Sequence, residues 1–395
     1  MTKETQHNRI QALDGLRAFA IIFVLLSHSS WKYSAQITLK LGDADFHNLI
    51  YNGWMGVDLF FVLSGFLIAS QLLNRDLIKN NLKFFIARRF FRIAPTYYVA
   101  ILITLFAYYI IPMIGTVPAQ DLVQKWWFPV VAHFIFLHDY IGRDPSINGL
   151  FWSIPIEIKF YLVLPFLLMF ITKLSKPTHR TLFVGGLFCL YVLCKTWAVY
   201  LDDHASSVTY SDYFLLYKTP FHFSLDGLII GVLCAFILQN TALIAKWREG
   251  AAPNILFALG FALFAVNALS PHFTNDTATF FEQTLMTSLF ALSFGLMLLG
   301  VVLGCFATGF LSAAFLRFIA KISYSMYLTH IFAISLQTTL VDMLSPYITA
   351  PTLCWLLILP IFFGVATAMA YIMHITVEQP FLRWSKEKFK YSESA

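Results

Sequence analysis

Residues 10–30 read IQALDGLRAFAIIFVLLSHSS, an apolar run with Arg17 near one end and His28 near the other. As a helix rising about 1.5 Å per residue, it is long enough to cross the roughly 30 Å of a bilayer core. At about 100° per residue, the interval from Arg17 to His28 is three turns plus about 20°. Both side chains therefore share one face, roughly 16 Å apart along the axis. A cation and a titratable base on one stripe of a membrane segment are costly in hydrocarbon, and such groups face a protein interior or a wet cavity.

The rest of the chain has the same character. Of its 395 residues, 58% are hydrophobic and 12% charged, whereas a soluble domain carries about 25% charged residues. Apolar runs recur near 10–30, 54–73, 93–113, 154–172, 181–200, 213–239, 253–270, 281–304, 319–341 and 352–376. They predict an all-α polytopic membrane protein of about ten transmembrane helices. Phe128 to Tyr140 is too short to cross and holds His133, His138 and Asp139. It reads as one re-entrant or interfacial helix, or alternatively as a tilted further span. The pattern predicts a single membrane domain over 1–395, with a transmembrane core at about 10–376 and a tail at 377–395.

Lys and Arg concentrate in alternate connections, notably Arg75 to Arg92, Lys173 to Arg180 and Arg383 to Lys390. By the positive-inside rule both termini are then cytoplasmic. This bias accounts for the net charge of +6 without a nucleic-acid partner, which would need an exposed basic domain. The first run does not read as a cleaved signal, since Asp14 and Arg17 interrupt it and no small-residue cleavage site follows. The five cysteines fall within or beside spans, with no C-x-x-C pair. They read as apolar packing residues, with neither disulfides nor a metal site expected.

Polar residues inside the spans mark candidate chemistry. Asp58 enters the second span at the depth of His28, where it either orients the imidazole or caps its own helix. Arg88, Arg89 and Arg92 stand at the mouth of the third span. Flanking charge accounts for a basic loop, but the arginine fork also suits bidentate phosphate contacts and hence a phosphorylated ligand. Glu157 follows Trp152 and Ser153 into its span, and Trp152 is either a headgroup-level anchor or a surface for a sugar ring. His222 and Asp226, with Lys218 one turn earlier, form either a ligand-facing stripe or a mutually satisfied pair. Ser323, Tyr324, Ser325, Tyr327 and His330 make the first half of 319–341 unusually polar. The stretch HITVEQPFLRW ends a helix near Glu378 and Pro380.

In order along the chain, LDGLRAFAIIFVLLSH, GVDLFFVLSGFLI, the R-x-x-R of Arg89 and Arg92, FWSIPIEIKFYLVLP, ISYSMYLTH and EQPFLR resemble the acyltransferase-3 family of bacterial inner-membrane proteins. The six pieces run from residue 13 to 383. One departure is the proline and isoleucines of W-S-I-P-I-E, where many relatives have leucine and no proline. The sequence also shows no extracellular hydrolase-like domain of the kind some relatives append.

The resemblance implies a multi-pass enzyme of the bacterial inner membrane. It would move an acyl group, acetyl by default, from cytosolic acyl-CoA to a hydroxyl of a cell-surface carbohydrate such as O-antigen or exopolysaccharide. Acetyl-CoA is then a co-substrate, and no cofactor is permanently bound. Membrane lipid and a carbohydrate, lipid-linked or free, are the other partners. Arg17, Arg88, Arg89 and Arg92 are the expected CoA contacts. His28 either takes the acceptor proton or is itself acylated. Glu157 or Asp58 orients it, Tyr324 or Tyr327 donates to the oxyanion, and Trp152, Ser153 and His330 complete the acceptor site. The competing reading is a transporter or flippase of a lipid-linked glycan, using the same stripe without acyl transfer.

Overall fold

The computed structural model describes residues 3–31, 37–41, 44–75, 81–107, 119–140, 147–202 and 208–390. The long helices are α1 (Lys3–Ser30), α2 (Gly56–Arg75), α3 (Leu82–Leu105), α4 (Ala119–Phe134), α5 (Ser153–Ile171) and α6 (Pro177–Tyr200). They continue as α7 (Asp226–Ile237), α8 (Ala252–Leu269), α9 (Met286–Leu303), α10 (Ala314–Leu344), α11 (Pro351–Met373) and α12 (Gln379–Lys388). The described strand content is one two-residue antiparallel pair, Lys40–Leu41 with Ala44–Asp45.

Among the described residues, seven helical segments are long and apolar enough to cross a membrane, or eight if the bent pair α7 and Thr241–Glu249, at 88°, counts as one span. That is fewer than the ten expected. Neither α3 nor α10 is apolar enough to be one of these, and the reason is chemical. α3 carries Lys83, Arg88, Arg89 and Arg92, and α10 carries the polar first half noted above. Part of the polarity that lowers the count builds the site: Arg92 of α3 and Tyr324, Tyr327 and His330 of α10 stand at it. At 16 residues with Pro129 inside it, α4 is not among the crossing helices. The end of the expected span 93–113 lies outside the described residues.

The expected span 213–239 is broken. A π-turn, Phe214–Lys218, is followed by Pro220 and a 3-10 turn, Phe221–Phe223, before α7 begins. Proline has no N–H to continue a helix across that break. The run at 281–304 likewise splits into Phe280–Thr284 and α9. At the C-terminal end the helix does not stop at Glu378. A second π-turn, His374–Glu378, leads directly into α12, and Pro380, which has no N–H to donate back along the helix, stands just after it.

At the centre, α1 is enclosed by α2, α9 and α10, and α10 packs along α11. Close approach is written into the sequence: a Cβ at Gly56 would collide with the Ala20 carbonyl, and one at Gly65 with the Leu228 carbonyl. Without a hydrophobic drive between helices in lipid, such small-residue contacts supply much of the packing energy. The large residues on α5, α6, α8 and α11 point outward: Phe166, Leu193, Val266 and Leu357 are all more than half exposed. Apolar side chains at those positions suit contact with lipid.

Candidate active site

His28 lies in the last turn of α1, where helix-end carbonyls lack intrahelical partners. Neighbouring helices supply them: Gln337 Nε2 and Trp355 Nε1 donate to the Ser29 carbonyl at 3.0 and 3.2 Å. Ser27 Oγ reaches the Tyr51 carbonyl at 3.1 Å. The turn carrying His28 is therefore pinned from three sides.

His28 Nδ1 sits 2.9 Å from His330 Nε2, with the rings stacked at 5.0 Å between centroids. His330 Nδ1 is 2.7 Å from the Tyr327 carbonyl. A carbonyl only accepts, so His330 Nδ1 carries the proton and its Nε2 is bare. That nitrogen must then accept from His28 Nδ1–H, which leaves the lone pair of His28 on Nε2. His330 is fully buried, whereas His28 is partly exposed. The pair is a positioned base with a supporting histidine behind it.

His28 lines a cavity of about 400 Å³ with Trp31, Tyr51, Trp54, Trp152 and Tyr210. Asn148 is on the same wall. Its Oδ1 accepts from Leu150 N at 2.9 Å, while its Nδ2, like Trp54 Nε1, is buried without a partner. Unpaired buried donors are costly and call for an acceptor from a ligand or water.

A second cavity, of about 550 Å³, is lined by Arg17, Arg92, Arg317, Lys321, Arg383 and Lys386 against Asp14, Glu157 and Glu378. Arg17 pairs with Asp14 at 3.0 Å. Glu157 accepts from Ser64 Oγ at 2.9 Å and from the Tyr161 hydroxyl. Val57 and Tyr327 line both cavities, so the two are separated by little more than these side chains. Among the described residues no group of three His, Cys, Asp or Glu side chains is placed to hold a metal ion.

The expected residues divide between the cavities. His28, Trp152 and Tyr327 line the first; Arg17, Arg92, Ser153, Glu157, Tyr324 and, again, Tyr327 line the second. His330 stands behind His28 as its hydrogen-bond partner. Several expected roles need correction. Asp58 does not hold His28: it pairs with Lys218 at 2.5 Å, and that ammonium lies 5.1 and 5.5 Å from the rings of Trp54 and Trp152. Glu157 is engaged by Ser64 and Tyr161, away from the imidazole. Arg88 and Arg89 are not among the cavity walls. Arg89 donates to Gln71 and lies over the rings of Phe85 and Tyr161 at 5.4 and 5.9 Å.

The tyrosines are corrected as well. Tyr324 donates to the Ile93 carbonyl at 2.8 Å and Tyr327 to the Leu150 carbonyl at 2.5 Å, with Ser153 Oγ 2.8 Å from the Tyr327 hydroxyl. Their protons are committed to backbone, so neither is a free oxyanion donor. His222 and Asp226 do not pair. Asp226 is held by Lys195, Tyr191, Thr287 and Ser288, while His222 meets Tyr140 at 3.1 Å. Four cations of the second cavity, Arg317, Lys321, Arg383 and Lys386, are not among the site residues expected from the sequence. The spacing of Arg317, Lys321 and Tyr324 along one face of α10 is the signal that could have marked them.

The sequence model described as "Acyltransferase domain" matches residues 10–374. The chain is 28% identical to YrhL of Bacillus subtilis over 96% of its own length and 56% of that protein's. It is 28% identical to the peptidoglycan O-acetyltransferase OatA of Listeria monocytogenes over 88% of its length and 53% of that protein's. The O-acetyltransferase OatA of Staphylococcus aureus matches at 28% over 46% of the chain. The chain thus spans just over half the length of the first two relatives. No solved structure matches it significantly. With the Arg17–His28 helix, the paired cavities and a match covering nearly the whole chain, this protein belongs to the acyltransferase-domain family of multi-pass membrane proteins.

Proposed function

We propose that this protein is a membrane O-acetyltransferase of the bacterial inner membrane. It takes an acetyl group from acetyl-CoA on the cytoplasmic side and delivers it to a hydroxyl of an envelope glycan on the outer side. The supporting observation is a bare His28 Nε2 at a tryptophan-rich cavity, set back to back with a cavity rich in arginine and lysine. With both termini cytoplasmic, the cationic cavity opens inward, and its guanidinium groups suit the phosphates of CoA. The aromatic walls suit a sugar ring, and the names of the relatives YrhL and Listeria OatA make peptidoglycan the first acceptor to try, ahead of O-antigen or exopolysaccharide.

In this reading the acceptor hydroxyl gives its proton to His28 Nε2 while its oxygen attacks the acyl carbonyl. His330 stabilises the imidazolium and keeps it in register. Asn148 Nδ2 and Trp54 Nε1 are unpaired donors of residues lining the His28 cavity, available to the developing charge. The competing reading, a flippase using the same path, predicts no thioester consumption. Inverted vesicles loaded inside with extracted peptidoglycan and given radiolabelled acetyl-CoA outside should move label into glycan, and His28→Ala should lower transfer at least about 100-fold. Full transfer by His28→Ala would end this mechanism, and no label in any glycan, with no CoA released, would favour the flippase.

A further inference from the structure

The second cavity holds a histidine that this mechanism leaves unused. His374 and Glu378 lie four residues apart in the π-turn between α11 and α12, a helix distortion frequent at functional sites. His374 Nδ1 is 2.9 Å from Glu378 Oε2, and that same oxygen accepts from Ser325 Oγ at 2.6 Å. Paired with a carboxylate, Nδ1 carries the proton, which leaves the lone pair on Nε2. That Nε2 is buried and without a partner, and the residue, only 3% exposed, lines the cationic cavity. A carboxylate, an imidazole held through Nδ1 and an unoccupied Nε2 form the arrangement of an activated nucleophile or base.

Its depth suits a place between donor and acceptor. Glu378 meets α10 at Ser325, and His28 meets α10 at His330, five residues further on, or about 7.5 Å along the axis. α11 packs along α10 with Ser325 against Glu378 and Val341 against Cys354, so the two run in opposite directions and His374 stands about one turn above Glu378, towards the level of His28.

We propose that His374 is the group that first receives the acyl chain, and that His28 then activates the acceptor. This deepens the acetyltransferase reading and rests on it. In the first step His374 Nε2 attacks the thioester carbonyl, a C–N bond forms, the C–S bond breaks and its electron pair leaves on the CoA sulfur. The Nδ1 proton passes to Glu378, so the acyl-imidazole is neutral, and the thiolate takes a proton from cytoplasmic water. In the second step the acceptor hydroxyl gives its proton to His28 Nε2 and its oxygen bonds to the acyl carbon. The C–N electron pair returns to His374, Glu378 returns the proton to Nδ1, and His28 releases its proton outward. The sum is thioester plus alcohol giving ester plus thiol.

The test uses the full-length protein in lipid nanodiscs with labelled acetyl-CoA and no acceptor. In His28→Ala the second step is blocked, so one acetyl group per chain should accumulate on the peptide bearing His374, with one equivalent of free CoA. His28→Ala/His374→Gln should give neither, while acetyl-CoA still raises its melting temperature; Glu378→Gln should slow labelling at least tenfold. Label on His28 in the wild type, or CoA release that persists in the His374→Gln background, would overturn the proposal. So would an unlabelled His28→Ala protein that still binds acetyl-CoA, and that result would leave direct transfer by His28 standing. Full glycan acetylation by His28→Ala would instead strike the reading on which the proposal rests.

Discussion

The protonation pattern of His28 is decided by a backbone carbonyl two links away. The Tyr327 carbonyl fixes His330, and His330 fixes His28. His330→Phe keeps the stacked ring but removes the acceptor, freeing His28 to turn or to protonate the wrong nitrogen. Acyl transfer should fall about 100-fold or more, with the KM for acetyl-CoA little changed. His330→Gln, whose side-chain oxygen can again accept, should recover part of the loss; equal inactivity in both variants would count against tautomer control. The sequence made Arg17 and His28 legible because helical spacing alone puts them on one face. It misassigned the partner because depth can be read from sequence and azimuth cannot. Asp58 stands at the right level, but α2 turns it towards Lys218.

Among the elements, apolar length located most helices to within a few residues, and the failures have physical causes. The run 213–239 carries Lys218, His222 and Asp226 in its first half, and there Pro220 and a π-turn break it, with Lys218 buried beside the break. The buried pairs Lys218–Asp58 and Lys195–Asp226, each side chain at most 3% exposed, tie α2, α6 and α7 together behind the first cavity. Removing one member of such a pair strands a charge out of water, at a cost of about 3–5 kcal/mol, whereas replacing both with well-packed neutral residues is often neutral. Lys195→Met should therefore lower the melting temperature in detergent sharply, and Lys195→Met/Asp226→Asn should regain much of it, since Tyr191, Thr287 and Ser288 can still bond an amide. A double variant as unstable as the single one would show that packing of the lysine stem, rather than its charge, holds the helices.

At the scale of the whole molecule, two cavities of different chemistry meet at Val57 and Tyr327. One-dimensional patterning supplied each component, since arginines flank spans and tryptophans punctuate them. The junction arises only when α2, α5 and α10 converge, and no local pattern encodes that convergence. If substrates enter from opposite sides and react across it, filling the neck should separate binding from transfer. Val57→Trp adds bulk at a position only 4% exposed and common to both cavities. In sealed vesicles of defined orientation, only those with the cytoplasmic face outward should consume added acetyl-CoA. Val57→Trp should cut label transfer into glycan at least tenfold, yet still be stabilised by acetyl-CoA as the native protein is. Val57→Ala, which widens the neck, should transfer at or above the native rate. If Val57→Trp transfers normally, the acyl group does not pass this point; if both vesicle orientations consume acetyl-CoA equally, the two cavities do not open to opposite sides.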